Sequence, residues 1–539
     1  MNLKRTSLGL AVLFVSAGVG AGCTDSGGSC EDTLTCGSGG SGTAGSAGAA
    51  GAAGNSMGGS AGNAGAAGSG ASGGAAGSGA TGGTAGTAGA GGTGPICDPN
   101  SAPGDDACVI DDQYAIFVSP SGDDSTGDGS QAAPFASIAK GITEANTAGK
   151  HLFVCADGGS YDEQVSLDST SAGLQAWGSF KCSDWSYDNS LKATVAPSAE
   201  GYALTAASIT TDTRLEGFEF DAQSATTAGG NSIAAFVKDS TALTLVNVKL
   251  VAGDGMKGAD GATPSSAFPA QSNLGGFSGE ALDTMAVPPL QGRGGAEKIY
   301  SACPNGGTTK GGRGGNASGV GEAGGPAPLG GAAGQAGGTC STGIGEEGKK
   351  PAEAAAGSGA STTGAVVGDI WTPSNGSNGS PGEPGGGGGG GRGGALGGGG
   401  GGGAGGCGGA GGTAGKGGGA SIALLSIDSP ISLTNIELVS GSAGNGGGGA
   451  AGENGMNLGG DPGAGVGGAC TGGQGGAGGK GGAGGGGAGG IAVGLVFSGT
   501  QPTLSGESYT AGTAGAAGPG GASGNAGVAG VAQDTLSLN

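Results

Sequence analysis

Through residues 402–419 side chains recur at every third position, at Ala404, Cys407, Ala410, Thr413 and Lys416, with only Ala414 out of step and glycine elsewhere. A second tract, 471–490, repeats the rhythm at Thr471, Gln474, Ala477, Lys480 and Ala483. Three residues per turn is the period of the polyproline II helix, so this spacing gathers the side chains on one edge and leaves two edges of bare glycine. Bare edges allow neighbouring chains to approach until their backbone groups hydrogen-bond. Ordering glycine costs on the order of 1 to 2 kcal/mol of backbone entropy per residue, and no side-chain burial is available to offset it. Such tracts therefore need lateral packing and fixed ends to be ordered at all.

Proline enters an extended G-X-Y run only in residues 376–385 and at Pro519 in 512–530, which argues against a collagen-type triple helix. In residues 256–419 proline and charge break the rhythm, and a disordered linker is the competing expectation there.

Lys4 and Arg5 precede an apolar run, Leu8 to Val15, which small residues follow up to Gly22 and Cys23. That is the build of a secretory signal, too short to stay as a membrane span. Val19-Gly20-Ala21-Gly22-Cys23 resembles a bacterial lipobox, with Gly20 where leucine is favoured. The resemblance implies diacylation of Cys23 and a membrane partner reached through that lipid. Thr24 offers no inner-membrane retention aspartate, so the implied destination is the outer membrane or cell surface.

Without Cys23, ten of the 11 cysteines remain, and an exported chain with an even number implies disulfides. Sequence proximity suggests Cys30–Cys36, Cys97–Cys108, Cys155–Cys182, Cys303–Cys340 and Cys407–Cys470. Zinc is disfavoured, because close CxxC sets are missing and His151 is the one histidine. The 41 acidic against 19 basic residues argue against nucleic acid as a partner.

The chain divides into a signal (1–22), a Gly/Ala/Ser tether (23–95), a strand-rich region (96–255), a glycine-rich insertion (256–420), a short strand-rich unit (421–441), a second insertion (442–490) and a C-terminal unit (491–539). Strands are expected at 114–119, 152–155 and 164–167. Between the first two, Pro134 opens a helix with Phe135, Ile138, Ile142 and Ala145 on one face, and Gly149 ends it.

The segment from Ile116-Phe117-Val118-Ser119-Pro120-Ser121-Gly122-Asp123-Asp124 through Gly127-Asp128-Gly129, Ala133-Pro134-Phe135 and Ala156-Asp157-Gly158-Gly159-Ser160-Tyr161 resembles the opening of pectin-lyase-like proteins, in the domain type called DUF1565. The resemblance implies an all-β fold, a right-handed parallel β-helix whose open end the helix plugs; the polyproline-II-like glycine tracts, which directly follow the strand repeats, read as insertions at one corner of adjacent coils. Gly178-Ser179-Phe180-Lys181-Cys182 with Trp185, and Gly201-Tyr202-Ala203-Leu204, look like glycine-rich lipoproteins of myxobacteria. In composition the glycine tracts are similar to the repeats of mycobacterial PE-PGRS proteins, without that family's N-terminal domain. Self-similarity supports stacked coils: Ser232-Ile233-Ala234 through residue 253 recurs from Ser421 to 441, with a fainter copy from Ile491 to 512. Residues 215–222 match 245–252 in the same way.

Candidate chemistry is sparse. Asp123, Asp124, Thr126 and Asp128 offer oxygens for a calcium loop, with Asp124, Thr126 and Asp128 alternating and Gly129 permitting a sharp turn, but Phe135 stands where the closing glutamate belongs. The GxGxxG match at 253–258 is expected by chance in a chain with 145 glycines, and no helix follows it. Asp239, Asp428, Asn247 and Asn435 suit stacked turns. Glu216 and Glu219 read as one strand with opposite facings, which makes no acid–base pair, and His151 reads as a solvated edge residue. The chain therefore reads as non-enzymatic, without a resident cofactor unless calcium binds, and with a structural, adhesive or matrix-contact role. The alternative is a carbohydrate-binding or carbohydrate-active protein of polysaccharide-lyase type. Its partner would be extracellular polysaccharide, or the protein would contact other surface proteins. Three carboxylates and a base meeting in one groove would favour the enzyme.

Overall fold

The computed structural model describes residues 97–337 and 339–538. The signal, Cys23, the tether and the Cys30–Cys36 pair lie outside the described residues. The fold is all-β, built on three open sheets of parallel strands. The first orders Ala115–Val118, His151–Cys155, Gln175–Phe180, Thr213–Glu216, Leu243–Val246, Ser432–Thr434 and Thr503–Ser505. The second contains Ala193–Val195, Phe218–Ala222, Lys249–Ala252, Glu437–Val439 and Ser508–Thr510. The third contains Val165–Leu167, Leu204–Ala207, Ser232–Lys238, Ser421–Ile427, Ala492–Ser498 and Ala532–Ser537.

The sequence repeats coincide with strand register. Ser232, Ser421 and Ala492 are aligned neighbours, and Leu245 sits between Leu215 and Leu433. Alternate residues of all three sheets point into one core, where Leu215, Leu245, Phe220, Leu250, Leu424 and Leu495 are buried together. Turns between sheets stack as well: Asp239 and Asp428 have φ of 50° and 48°, and Asn247 and Asn435 both have 50°. Asp and Asn tolerate the left-handed region better than other side chains, and Gly499 and Gly506 take these places in the last copy.

The helix runs Ile138–Ala148, starting later than Pro134. Phe135 instead bridges to Val118 and is buried, while the Ser137 side chain accepts from Lys140 N–H at 3.2 Å. Glu163 completes the cap by accepting from the Ile138 and Ala139 amides at 2.6 and 3.0 Å. Gly149, at φ 63°, ends the helix as expected. Ile138, Ile142 and Ala145 pack into the main core beside Val118 and Leu152.

The glycine tracts form an ordered array. Gly403, Gly406, Gly409 and Gly412 N–H donate to the carbonyls of Gly473, Gly476, Gly479 and Gly482 at 2.9 to 3.0 Å, one bond every third residue. Carbonyls of Gly406, Gly409 and Gly412 in turn accept from Gly385, Gly382 and Gly379, which run the opposite way. A third neighbour donates from Gly447, Ala450, Glu453 and Met456 to Lys416, Thr413, Ala410 and Cys407. The competing linker expectation for 256–419 does not hold, because Met256 and Ala259 carbonyls accept from Gly419 and Lys416 in the same array. A ladder bond contributes about 1 kcal/mol net, no more than the entropy cost of one glycine, so close packing of the CH₂ faces and fixed ends must supply the remainder. The ends are fixed: both tracts run directly into third-sheet strands at Ser421 and Ala492. Residues of the first insertion also fold back over that sheet, where Trp371 of the hairpin strand Ile370–Pro373 packs on Phe236, Ile422 and Leu425.

The side-chain edge is covered more completely than the period alone suggests. Ala404 and Cys407 are fully buried, while Lys416 at the other end is exposed. Four disulfides are present among the described residues. Cys97–Cys108 and Cys155–Cys182 match expectation, but Cys303 pairs with Cys407 and Cys340 with Cys470, in place of Cys303–Cys340 and Cys407–Cys470. The ladder explains the correction. Cys470 lies level with Gly400 and Cys407 level with Ala477, so at roughly 3.1 Å per residue they stand on the order of 20 Å apart along the tracts.

Candidate functional site

The strands Gln175–Phe180 and Thr213–Glu216 pair with Trp177 opposite Glu216. Period-two alternation turns Thr213 and Leu215 inward and leaves Arg214 and Glu216 on the outer face. There they form an ion pair, with Arg214 Nε and Nη2 donating to Glu216 Oε2 at 2.9 and 2.5 Å. Trp177 Nε1 donates to the same oxygen at 3.1 Å, and Tyr187 Oη donates to Oε1 at 3.0 Å. Burial, then the Glu216 charge, pushes the Tyr187 phenol far above its ordinary range. Arg214, Glu216 and Tyr187 line a groove of about 680 Å³ that also includes Asp105, Lys181 and Asp188.

Three carboxylates and two bases thus meet in one groove, the composition expected of an enzyme. Two of the three carboxylates, Glu216 and Asp188, are already engaged by neighbouring donors. A general acid or base needs an oxygen within reach of substrate, and four donor atoms, two of them on a guanidinium, already occupy the two Glu216 oxygens. Asp188 is engaged by the Ser190 amide and hydroxyl at 3.1 and 2.7 Å. The cluster ties the 181–190 loop to the sheet.

Glu219 proves to lie on another strand from Glu216, because Gly217 at φ 73° turns the chain into Phe218–Ala222 of the second sheet. On that sheet Lys249 stands between Glu219 and Glu437 and pairs with Glu219 at 3.0 Å. Asp221, on the same strand, is held above the usual carboxylate range by burial and by the Glu219 charge, against the pull of Lys249. A raised carboxyl beside an ion pair is a feature acid–base chemistry uses.

The aspartates of the candidate calcium loop diverge onto backbone donors. Asp123 Oδ1 accepts from Ser125 and Thr126 amides at 2.7 and 3.1 Å, Asp124 Oδ1 from Ala136 and Ser137 amides at 2.7 and 3.0 Å, and Asp128 Oδ1 from Ser130 at 3.0 Å. Asp124 also accepts from the Ser137 hydroxyl at 2.7 Å, so it fastens the loop to the helix start. Among the described residues no group of three or more His, Cys, Asp or Glu side chains could hold a metal ion.

His151 is buried, in contrast to its sequence reading. It opens the strand His151–Cys155, contacts the Trp177 ring at a centroid distance of 5.0 Å, and its Nε2 donates to Pro99 O at 2.7 Å. Sequence pattern missed it because the strand is covered on both faces, the outer one by the segment that Cys97–Cys108 secures. Burial, only partly opposed by the Pro99 bond, lowers the imidazole pKa. A depressed folded pKa makes the neutral ring's stabilisation complete above the ordinary value of about 6.5 and progressively lost as pH falls through the folded value. Protection of the amides around Asn100, with the intrinsic pH dependence of exchange divided out, should fall as pH drops below about 6.5, and His151→Gln should flatten that dependence. Identical pH profiles for the two proteins would count against this assignment.

Comparison with protein-family models, characterised proteins and solved structures finds no match to this chain.

Proposed function

We propose that this chain is a lipid-anchored cell-surface protein in which a right-handed parallel β-helix carries glycine-rich, polyproline-II-like insertions, with a structural, adhesive or matrix-contact role. The observation that carries this reading is the period-three ladder between residues 403–412 and 473–482, which makes the glycine-rich part a cross-braced slab instead of a spacer. An array with glycine inside has few side chains to spend on a catalytic centre, and its hydrogen-bonded rigidity suits a structural role. Consecutive passage of the chain through the three sheets, with repeats aligned in register, supports the coiled arrangement. The Gly/Ala/Ser stretch before residue 96 would hold this body away from a membrane anchored at Cys23.

Replacing Cys23 by Ala is expected to move the protein from the membrane to the soluble fraction and to remove the acyl mass from its N-terminal peptide. Unchanged fractionation and mass would reject the anchor.

Carbohydrate-active chemistry is the second reading, favoured by the raised Asp221 carboxyl beside Glu219 and Lys249. It ranks lower because the neighbouring carboxylate, Glu219, is already committed to Lys249.

A further inference from the structure

Bases are scarce in this acidic chain, and among the described residues Lys140, Arg214, Lys238, Lys249, Lys257, Lys310 and Lys480 are all ion-paired. Arg293 and Arg313 are not, although both lie next to acidic residues in the slab. Glu280 N–H donates to Arg293 O and Glu322 N–H to Arg313 O, each at 2.8 Å, yet neither carboxylate comes within ion-pair distance of a guanidinium. Both arginines are exposed, which leaves two guanidinium forks open to solvent.

Both forks open into one cleft of about 580 Å³, lined also by Phe277, Glu280 and Asn316. That volume falls in the usual range of small-ligand sites. The cleft is built from adjoining segments: Gly314 N–H donates to Gly295 O at 2.9 Å, and Gly294 N–H to Asn316 Oδ1 at 3.0 Å. Arg293 therefore stands beside Asn316, one three-residue step from Arg313, which places the guanidinium-bearing positions roughly 9 Å apart. Phe277 is half exposed and Lys298 Nζ lies 5.3 Å from its ring centroid, adding a third cation next to an apolar face. Lys310 is paired with Glu297, and Glu280 is the carboxylate among the residues lining the cleft. The rest of the molecule carries a strong excess of acid, which makes this cleft a local inversion of charge.

We propose that this cleft binds an acidic polysaccharide, with Arg293 and Arg313 each gripping a carboxylate or sulfate on successive sugar units and Phe277 lying against a ring face. Guanidinium supplies paired, coplanar N–H donors that match a planar carboxylate or an edge of a sulfate, a fit an ammonium lacks. A polymer suits the site better than a free anion, because two exposed forks with overall repulsion around them gain useful affinity only when both are engaged together. This rests on the matrix-contact part of the proposed function and is independent of the lipid anchor.

The test is binding of the detergent-solubilised full chain to immobilised polygalacturonate, dextran sulfate and neutral dextran. Binding to at least one charged polymer and none to neutral dextran is expected, and whether polygalacturonate or dextran sulfate binds more tightly tells carboxylate from sulfate. The R293Q/R313Q variant should weaken binding roughly tenfold or more, and R293K/R313K should stay weak. K349Q/K350Q, which removes two exposed lysines outside the cleft, should change affinity by less than about twofold. Failure to bind either charged polymer, undiminished binding by R293Q/R313Q, full rescue by the lysine variant, or an equal loss in K349Q/K350Q would overturn the proposal. None of these outcomes bears on Cys23, whose fractionation test stands separately.

Discussion

Valine at position 408 or 478 should unfold the glycine slab while leaving the three sheets in place. A Cβ on Gly408 would overlap the carbonyl of Gly382, and one on Gly478 would overlap that of Cys407, both backbone atoms held by the array. Overpacking an ordinary core costs about 1 to 3 kcal/mol because side chains can shift, whereas here the obstacle is main chain, so about 3 kcal/mol or more is expected. Gln474 offers the contrast. Its side chain sits on the partly exposed edge of the tract, and Gln474→Ala should cost less than about 0.5 kcal/mol. Thr413 falls between, since its hydroxyl accepts from Ala262 N–H at 2.6 Å and donates to Ala262 O at 2.9 Å, and Thr413→Val should cost about 1 kcal/mol. Hydrogen exchange at the amides of Gly406, Gly409 and Gly412 reads the result directly. Those amides should be protected in the parent and in Gln474→Ala, and exposed in either valine variant. Fast exchange in the parent would return the tracts to a spacer role.

What could be read in the sequence was what has a period. Strand alternation, the turn residues Asp239, Asn247, Asp428 and Asn435, and the three-residue glycine rhythm each repeat, and each predicts a local geometry that the structure contains. What could not be read was anything set by a single long-range contact. His151 looked solvent-facing because the segment covering it, near Pro99, is remote in sequence. Glu216 and Glu219 looked like one strand because the intervening Gly217 signals its turn only through a positive φ. The helix start was misplaced for the same reason: Glu163, which caps the amides of Ile138 and Ala139, is supplied by a later segment. The cleft at Arg293 and Arg313 has no sequence signature, because only the lateral register of the array brings the two residues together.

Peptide mapping of the non-reduced protein should recover Cys303 joined to Cys407 and Cys340 joined to Cys470, and no peptide joining Cys407 to Cys470. These bonds close sequence separations of 104 and 130 residues, far longer than the local pairs first expected. In the chain-entropy picture a loop of this length restricts the unfolded state by an amount worth about 4 to 5 kcal/mol, against about 3 kcal/mol for a loop of some 15 residues. Each of these bonds also joins a segment of the first insertion to one of the two glycine tracts. Removing either pair as a double serine variant should therefore destabilise the slab by about 2 to 5 kcal/mol. The loss should appear as faster exchange at Gly400 and Gly403 for the Cys340–Cys470 pair, and at Gly406 and Gly409 for the Cys303–Cys407 pair. Exchange that rises equally at both places, or a map showing Cys303 with Cys340, would mean the two tracts do not run in the register that sets Cys407 level with Ala477.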